Sequence, residues 1–386
     1  MSISARKMKT AIVILNWNTK DYLRRFIPGV LAASGCSKDG GCEGAEAEVI
    51  VADNASEDFS LSVVHNLFPR LRCIALDANY GFTGGYNKAL GQIRDEGFEY
   101  YLLMNTDIEV ADGFLGPLVD FMDSNPDCAA CAPKLHSWYD RDSFEYAGAA
   151  GGYIDSYGYP FCRGRVMKTL EKDCGQYDGA PKNVFWATGA CLMVRAEVFH
   201  RLGGFDDRFF AHMEEIDLCW RMQLQGYRIC VVPGSTVWHL GGGTLAPDSP
   251  FKLRLNYRNN LLMLDNNLAY VCAQGVVHKN ETVSAAASEG LKMARRRIWT
   301  RMILDGLSAI VYLCSFRKKY FDAVLAAHKE YRHLRKRPTQ AQVGQWLREK
   351  GGKAHIRGIY PGWMVPKAMF AKKEFILEVH EFQNKV

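Results

Sequence analysis

Several places in this 386-residue chain set chemically capable side chains directly behind apolar runs. Tyr100 to Met104 suits a buried strand, and Asn105, Thr106 and Asp107 follow at once. Three turn formers in a row can simply end a strand. A carboxylate flanked by two oxygen-bearing side chains can equally hold a cation at the carboxyl edge of an open α/β sheet, where ligands gather. "VADNAS" (51–56) repeats the pattern with Asp53 and Asn54. An acidic group there can accept from a ribose hydroxyl or a base N–H, or it can cap the following helix. Asn16, behind the first apolar run, is open to the same two readings.

"HMEEIDLCWR" (212–221) carries Glu214, Glu215 and Asp217. Acidic residues favour a first helical turn through the macrodipole, while one of them aimed into a cleft would serve as a general base. His239 stands before three glycines in "VVPGSTVWHLGGG", which suits a metal ligand beside a mobile loop or a structural histidine. "GFTGGYN" (81–87) lies between a strand and a helix and matches neither G-x-G-x-x-G nor a P-loop. Its glycines either let backbone approach a phosphate or ribose at a helix N-terminus or answer a purely conformational need.

Short apolar runs at 10–15, 47–52, 71–76 and 100–104 alternate with helical patterns near 21–33, 61–68 and 84–94. That alternation predicts βαβ units, a mostly parallel sheet and right-handed crossovers. A helix is expected after the N-T-D motif, over 111–125. From Cys128 to Arg195 short strands and Gly/Tyr-rich loops predict a smaller antiparallel extension bearing substrate loops. A helix over 214–225, a strand over 228–233 and a helix over 251–266 complete the expected domain, 1–270. Within it the nucleotide-binding half is 8–130 and the acceptor half 131–270.

A linker is expected at 271–290, followed by a basic, amphipathic helical region at 291–386. From Glu281 onward 21 Lys and Arg face 9 Asp and Glu, so this part is +12 in a chain of net charge +6. Such a tail should meet something anionic. In "ARRRIWTRMILDGLSAIVYLCSFRKKYF", Arg301, Asp305, Ser308, Tyr312 and Ser315 recur every three or four residues, with apolar residues between and basic clusters at both ends. Such a helix packs on the catalytic domain or lies on an anionic membrane surface. No run is long enough to span a bilayer. "AIVIL" is too short for the apolar core of a secretory leader. The twelve scattered cysteines suggest reduced, mostly buried thiols, and one C-x-x-C is too few ligands for zinc. The expected place is the cytoplasm, peripheral at the cytoplasmic face of the plasma membrane.

Together, "VILNWN", "VADNAS", "NYGFTGGYN", "LLMNTDIEV", "FWATGACLMVR", "GGFDDRFFAHMEEIDLCWR" and "VWHLGGGT" resemble the family 2 glycosyltransferases, and within them the rhamnosyltransferase-like branch. The resemblance covers roughly residues 8 to 265. It implies a GT-A fold, an inverting transfer and a nucleotide-sugar donor, dTDP-rhamnose or a UDP-sugar. The implied acceptor is a growing surface polysaccharide or a lipid-linked glycan, and no nucleic-acid partner is expected. The family's strand-end motif, often D-x-D, stands here as Asn105-Thr106-Asp107 and keeps one carboxylate. Asp107 and His239 are then the implied ligands of a Mg²⁺ or Mn²⁺ ion shared with the diphosphate. Asp53 would hold the base or ribose, with Asn16, Asn54, Asn79, Gly81, Asn87, Asn105 and Thr106 lining the nucleotide. The catalytic base falls on Glu215, where the family usually has Asp, with Glu214 or Asp217 as substitutes. Trp186, Gly189 and Ala190 match the acceptor side.

Two other readings are open. A sugar nucleotidyltransferase would want a Gly-rich loop with Arg and Lys after the first strand, where "NWNTKDY" stands instead. A non-catalytic, membrane-associated nucleotide-sugar-binding protein on a degenerate transferase scaffold would explain the lost first Asp and the Glu-for-Asp exchange.

Overall fold

The four apolar runs become four parallel strands, β1 (Thr10–Asn16), β2 (Ala47–Asp53), β3 (Arg72–Ala75) and β4 (Tyr100–Asn105), in the order β3-β2-β1-β4. Residues 8–241, 248–351, 354–370, 378–382 and 385 are described by this computed structural model. Helices α1 (Lys20–Ala33), α2 (Ser60–Leu67) and α3 (Gly81–Gln92) make the connections. Both sheet faces are covered, which is why these strands read as unbroken apolar runs. Alternate residues of β1 enter different clusters, Ala11 and Val13 one, Ile12 and Ile14 the other. The register sets Asn16 opposite Asp53 and Leu15 opposite Asn105, so the polar strand ends share one edge.

Beyond β4 come β5 (Ile108–Val110), α4 (Leu115–Ser124), β6 (Cys128–Ser137), β7 (Gly152–Asp155), β8 (Pro160–Cys162), β9 (Arg165–Val166) and β10 (Thr169–Leu170). They are followed by β11 (Lys182–Asn183), β12 (Cys191–Arg195), α5 (Ala196–Arg201), α6 (Glu214–Leu224) and β13 (Arg228–His239). The main sheet continues as β4-β12-β6-β13-β11, with β12 antiparallel to β4 and to β6. Short β5 pairs with the end of β13 and sets His239 opposite Ile108, one residue from Asp107. Residues 132 apart in sequence are thereby brought together by sheet register.

The C-terminal region departs from the expected division. Helix α7 (Pro250–Val276) runs through the boundary at 270, and α8 (Val283–Cys314) starts seven residues after it ends, so most of 271–290 is helical. Helices α9 (Lys318–Leu334) and α10 (Gln340–Glu349) stack on these two. The chain then returns as β14 (Ile359–Tyr360), parallel to β7, to complete a second sheet in the order β10-β9-β8-β7-β14, before α11 (Met364–Phe370). Buried residues of the described C-terminal segments, Ala286, Ile298, Tyr331, Trp346, Tyr360 and Val379 among them, share one hydrophobic cluster with residues of the first 270. Cys36 and Cys42 are joined as a disulfide, against the expectation of reduced thiols, while Cys128 and Cys131 are buried and free.

The two sheets meet at Trp186. Its indole Nε1–H donates to the Tyr153 carbonyl at 3.0 Å, and its ring lies flat against Gly152. A Cβ at Gly152 would stand 1.9 Å from the ring, in the space the indole fills. Gly152→Ala is therefore expected to cost roughly 1–3 kcal/mol, read as a lower urea midpoint at unchanged m-value.

Candidate active site

The strand-end polar residues form one connected network. The Asn16 amide donates to Asp53 Oδ1 at 2.6 Å and to the Ser56 hydroxyl at 2.9 Å. The Thr19 hydroxyl donates to Asn16 Oδ1 at 2.6 Å and meets the Thr106 hydroxyl at 2.9 Å. Asp53 also accepts from the Ser56 N–H at 2.9 Å, which closes a turn ahead of α2 and leaves the helix itself, N-capped by Phe59, without a side-chain cap. Asn54 and Asn79 are spent on the start of α3. The Asn54 amide donates to Asn79 Oδ1 and to the Gly81 carbonyl, and its oxygen accepts from the Tyr80 N–H.

Gly81 answers a packing need. At φ +68° its Cβ would lie 2.6 Å from the Phe210 carbonyl oxygen, which caps the N–H groups of Phe82 and Thr83. These amides hold protein backbone, not an open phosphate cradle. Asn87 is also turned elsewhere, clamping the backbone of Phe205 from both its amide and its oxygen.

Asp107 and His239 meet as the registers require, with Nε2 3.2 Å from Oδ1. On the other ring nitrogen, Glu145 Oε2 stands 3.2 Å from Nδ1. Burial disfavours a charge on each member of the first pair. Their mutual attraction wins, holding Asp107 below the usual carboxylate range and, with Glu145, raising His239 to about 10. The Gly241 N–H adds a donor to Asp107 Oδ2 at 3.2 Å. Glycines 242 and 243 of the W-H-x-G-G-G motif lie outside the described residues.

Helix α6 begins behind a loop with three residues in left-handed backbone, Phe210, His212 and Met213. Asn259 of α7 holds it, donating to the carbonyls of Phe209, Ala211 and His212 at 2.7–2.8 Å. Backbone in this region is costly for bulky residues and persists where its surroundings over-determine it. The three acidic residues then part company. Glu214 is buried, and burial followed by the charge of Glu215 pushes its carboxyl well up. Glu215 is partly exposed, beside Gly189 and Phe82, and burial raises it to about 7. Asp217 faces away from Glu215. It is fully buried, paired with Arg221 at 2.7 Å, and accepts from Asn266 and Asn267. Two residues along a helix is a turn of roughly 200°, so Asp217 anchors the helix and is no substitute base.

Of the residues expected on the acceptor side, Ala190 accepts from the Asn105 N–H at 2.9 Å through its carbonyl, and a Cβ on Gly189 would lie 3.5 Å from Glu215 Cβ. Residues 189–190 thus link the N-T-D strand end to the head of α6. Trp186, by contrast, is buried between the sheets.

Comparisons with known proteins decide what this edge belongs to. The profile of Glycosyl transferase family 2 matches residues 11–203, and that of Glycosyl transferase family group 2 matches 152–317. The chain belongs to glycosyl transferase family 2. This glycosyltransferase is 24% identical over 268 residues to the N-acetylglucosaminyl-diphospho-decaprenol L-rhamnosyltransferase of Mycobacterium tuberculosis, covering 66% of this chain and 83% of that one. To the rhamnosyltransferase WbbL of Escherichia coli it is 23% identical over 232 residues, covering 59% and 82%. Among solved structures, GalNAc-T7 with UDP, GalNAc and Mn²⁺ superposes with a TM-score of 0.50 at 15% identity. That match covers 70% of this chain and about half, 51%, of the other. The fold is GT-A.

Three of the transferase's residues at this site escape sequence reading. Glu145 sits in a loop with no periodic signal, and Asn259 and Arg258, whose guanidinium donates to the Phe209 carbonyl at 2.7 Å, look like ordinary positions on a long helix. Only "NN" and "NNL" runs rich in asparagine on α7 hint that this helix faces backbone carbonyls.

The Glu215 carboxyl has a distinct pH signature. Its folded value, about 7, lies above the ordinary 4.5, so the folded state holds the extra proton between them. Stability from this group therefore falls as pH rises through that window. Glu215→Gln should stabilise the transferase by ~1–3 kcal/mol above pH 7 and by almost nothing below pH 4.5, read from thermal or urea unfolding at both ends.

Proposed function

We propose that the transferase carries a sugar, with inversion, from a nucleotide diphosphate to a hydroxyl of a growing surface polysaccharide or a lipid-linked glycan. One observation carries the reading. The half-buried Glu215, its carboxyl raised to about 7 by burial, and the Asp107–His239 pair flank the same short segment, Gly189–Ala190 and Asn105. Glu215 is the base, taking the proton of the acceptor hydroxyl as its oxygen attacks the anomeric carbon. A group titrating near the working pH suits that task. Glu214, protonated and buried behind it, adds no second charge there, and burial keeps the proton affinity of Glu215 high. The Asp53 network shapes the nucleotide end.

The residues present fit a divalent cation. Asp107 offers a buried carboxylate and His239 its Nε2, while Glu145 sits behind Nδ1, as partners of metal-bound histidines do. Among the described residues no three His, Cys, Asp or Glu side chains form a cage, so the diphosphate would complete the ligand set. Mg²⁺ or Mn²⁺ bound there would offset the charge of the leaving diphosphate. Glu145→Gln is expected to weaken Mn²⁺ binding about tenfold in the presence of dTDP or UDP, measured by electron paramagnetic resonance without any turnover.

For the donor, dTDP-rhamnose is favoured by the rhamnosyltransferase relatives, and a UDP-sugar stands second. The M. tuberculosis relative is named for a polyprenyl-diphosphate-linked acceptor, which supports a lipid-linked glycan and a workplace at the cytoplasmic face of a membrane. The deciding assay is nucleoside diphosphate release from dTDP-, UDP- and GDP-sugars with membrane extract as acceptor, with and without Mg²⁺ or Mn²⁺. Metal-dependent release from one donor is expected, with kcat/KM rising through about pH 7 and falling at least 10²-fold in Glu215→Gln. Nucleotide binding with no donor turned over would instead favour the non-catalytic scaffold.

A further inference from the structure

Helix α8 is mounted with its polarity reversed. Arg301 and Asp305 are 5% and 1% exposed and face the protein. Arg301 pairs with Asp305 at 2.8 Å, donates to Asn260 Oδ1 at 2.5 Å and to the Tyr157 carbonyl at 3.2 Å, and covers the Tyr159 ring. Ser308 follows on the same side, 2.6 Å from the Tyr257 hydroxyl. The opposite side presents Trp299, Ile303, Leu307, Ile310 and Val311, each 51–68% exposed. At 100° per residue these five fall within an arc of about 120°, and the stripe runs ~18 Å along the helix. Phe316, just past the helix, is 97% exposed.

A contiguous apolar face of this kind marks a surface that something covers. Exposed cations bracket it, Arg295 and Arg296 at one end and Arg317, Lys318 and Lys319 at the other. That bracket rules against a second copy of the chain. Pairing two such faces, parallel or antiparallel, sets cationic cluster against cationic cluster. An anionic bilayer surface complements both the charge and the apolar stripe, with Trp299 at the depth that indoles favour. Among the described residues no helix is long and apolar enough to cross a membrane. We propose that the outward face of α8, from Trp299 to Phe316, lies in the headgroup layer of an anionic membrane. The polar stripe beneath it ties α7 and the 157–158 turn to that surface.

This inference stands on the exposed face and is independent of the transfer reading, because its test needs no donor. Co-sedimentation with phosphatidylcholine vesicles, with and without phosphatidylglycerol, reads it directly. The full chain should bind the anionic vesicles at least tenfold more tightly than the neutral ones, and less tightly as salt screens the basic clusters. The triple variant Ile303→Ser, Leu307→Ser, Ile310→Ser should lose that binding tenfold or more with an unchanged circular dichroism spectrum. Leu67→Ser, an exposed apolar residue on α2, should leave it unchanged. Three results overturn the proposal: no vesicle binding by the wild type, equal binding by wild type and triple variant, or binding indifferent to headgroup charge. A wild-type dimer by light scattering that the triple variant abolishes, without vesicle binding, would assign the face to a second copy.

Discussion

Asp217 is a carboxylate withdrawn entirely from water, and much of the architecture is arranged around giving it donors. One comes from its own helix through Arg221, two from α7 through Asn266 and Asn267. Arg221 in turn donates to the carbonyls of Leu202 and Gly204, and so holds the turn that Asn87 clamps from α3. A buried charge stripped of one partner destabilises strongly, by about 3–5 kcal/mol. The helix that presents Glu215 is thereby fixed in rotation and height by a residue with no access to solvent. Asp217 is buried with its donors in place, whereas Glu215 is half-buried and its Oε2 has no hydrogen-bond partner among the described residues.

Elements set by local pattern were legible in the sequence. The four parallel strands, the polar residues at their ends and the acidic start of α6 all show as breaks between apolar runs and turn formers. What could not be read was whatever depends on a distant partner. Asp107 and His239 meet through the pairing of β5 with β13, a register that neither strand announces. The acidic trio on α6 looks like three equivalent carboxylates until Asn266, Asn267 and Gly189 arrive from elsewhere to separate their roles. "GFTGGYN" is open to two readings because glycine has two uses, and only the Phe210 carbonyl shows which applies at Gly81.

Helix α8 shows the same limit most sharply. Periodicity divides it into a polar and an apolar face, yet cannot say which one turns inward. The usual preference is overruled here because Asn260, the Tyr157 carbonyl and Tyr257 supply polar partners for Arg301 and Ser308. Composition alone likewise suggested a joint near residue 270, where a continuous helix stands instead.

The late return of the chain bears on the order in which the molecule can be made. Strand β14 adds to β7 from more than 200 residues downstream, the Met364 N–H donates to Asp155, and the Trp346 indole donates to the Leu224 carbonyl at the end of α6. During synthesis the β1–β4 units can close as soon as they emerge, since their contacts are sequential. Helix α6 must wait, half-supported, until residues up to 364 have left the ribosome. The β1–β4 half is therefore assembled early and the seating of α6 comes last, so a nascent chain would display its polar strand-end edge well before Glu215 is fixed in place.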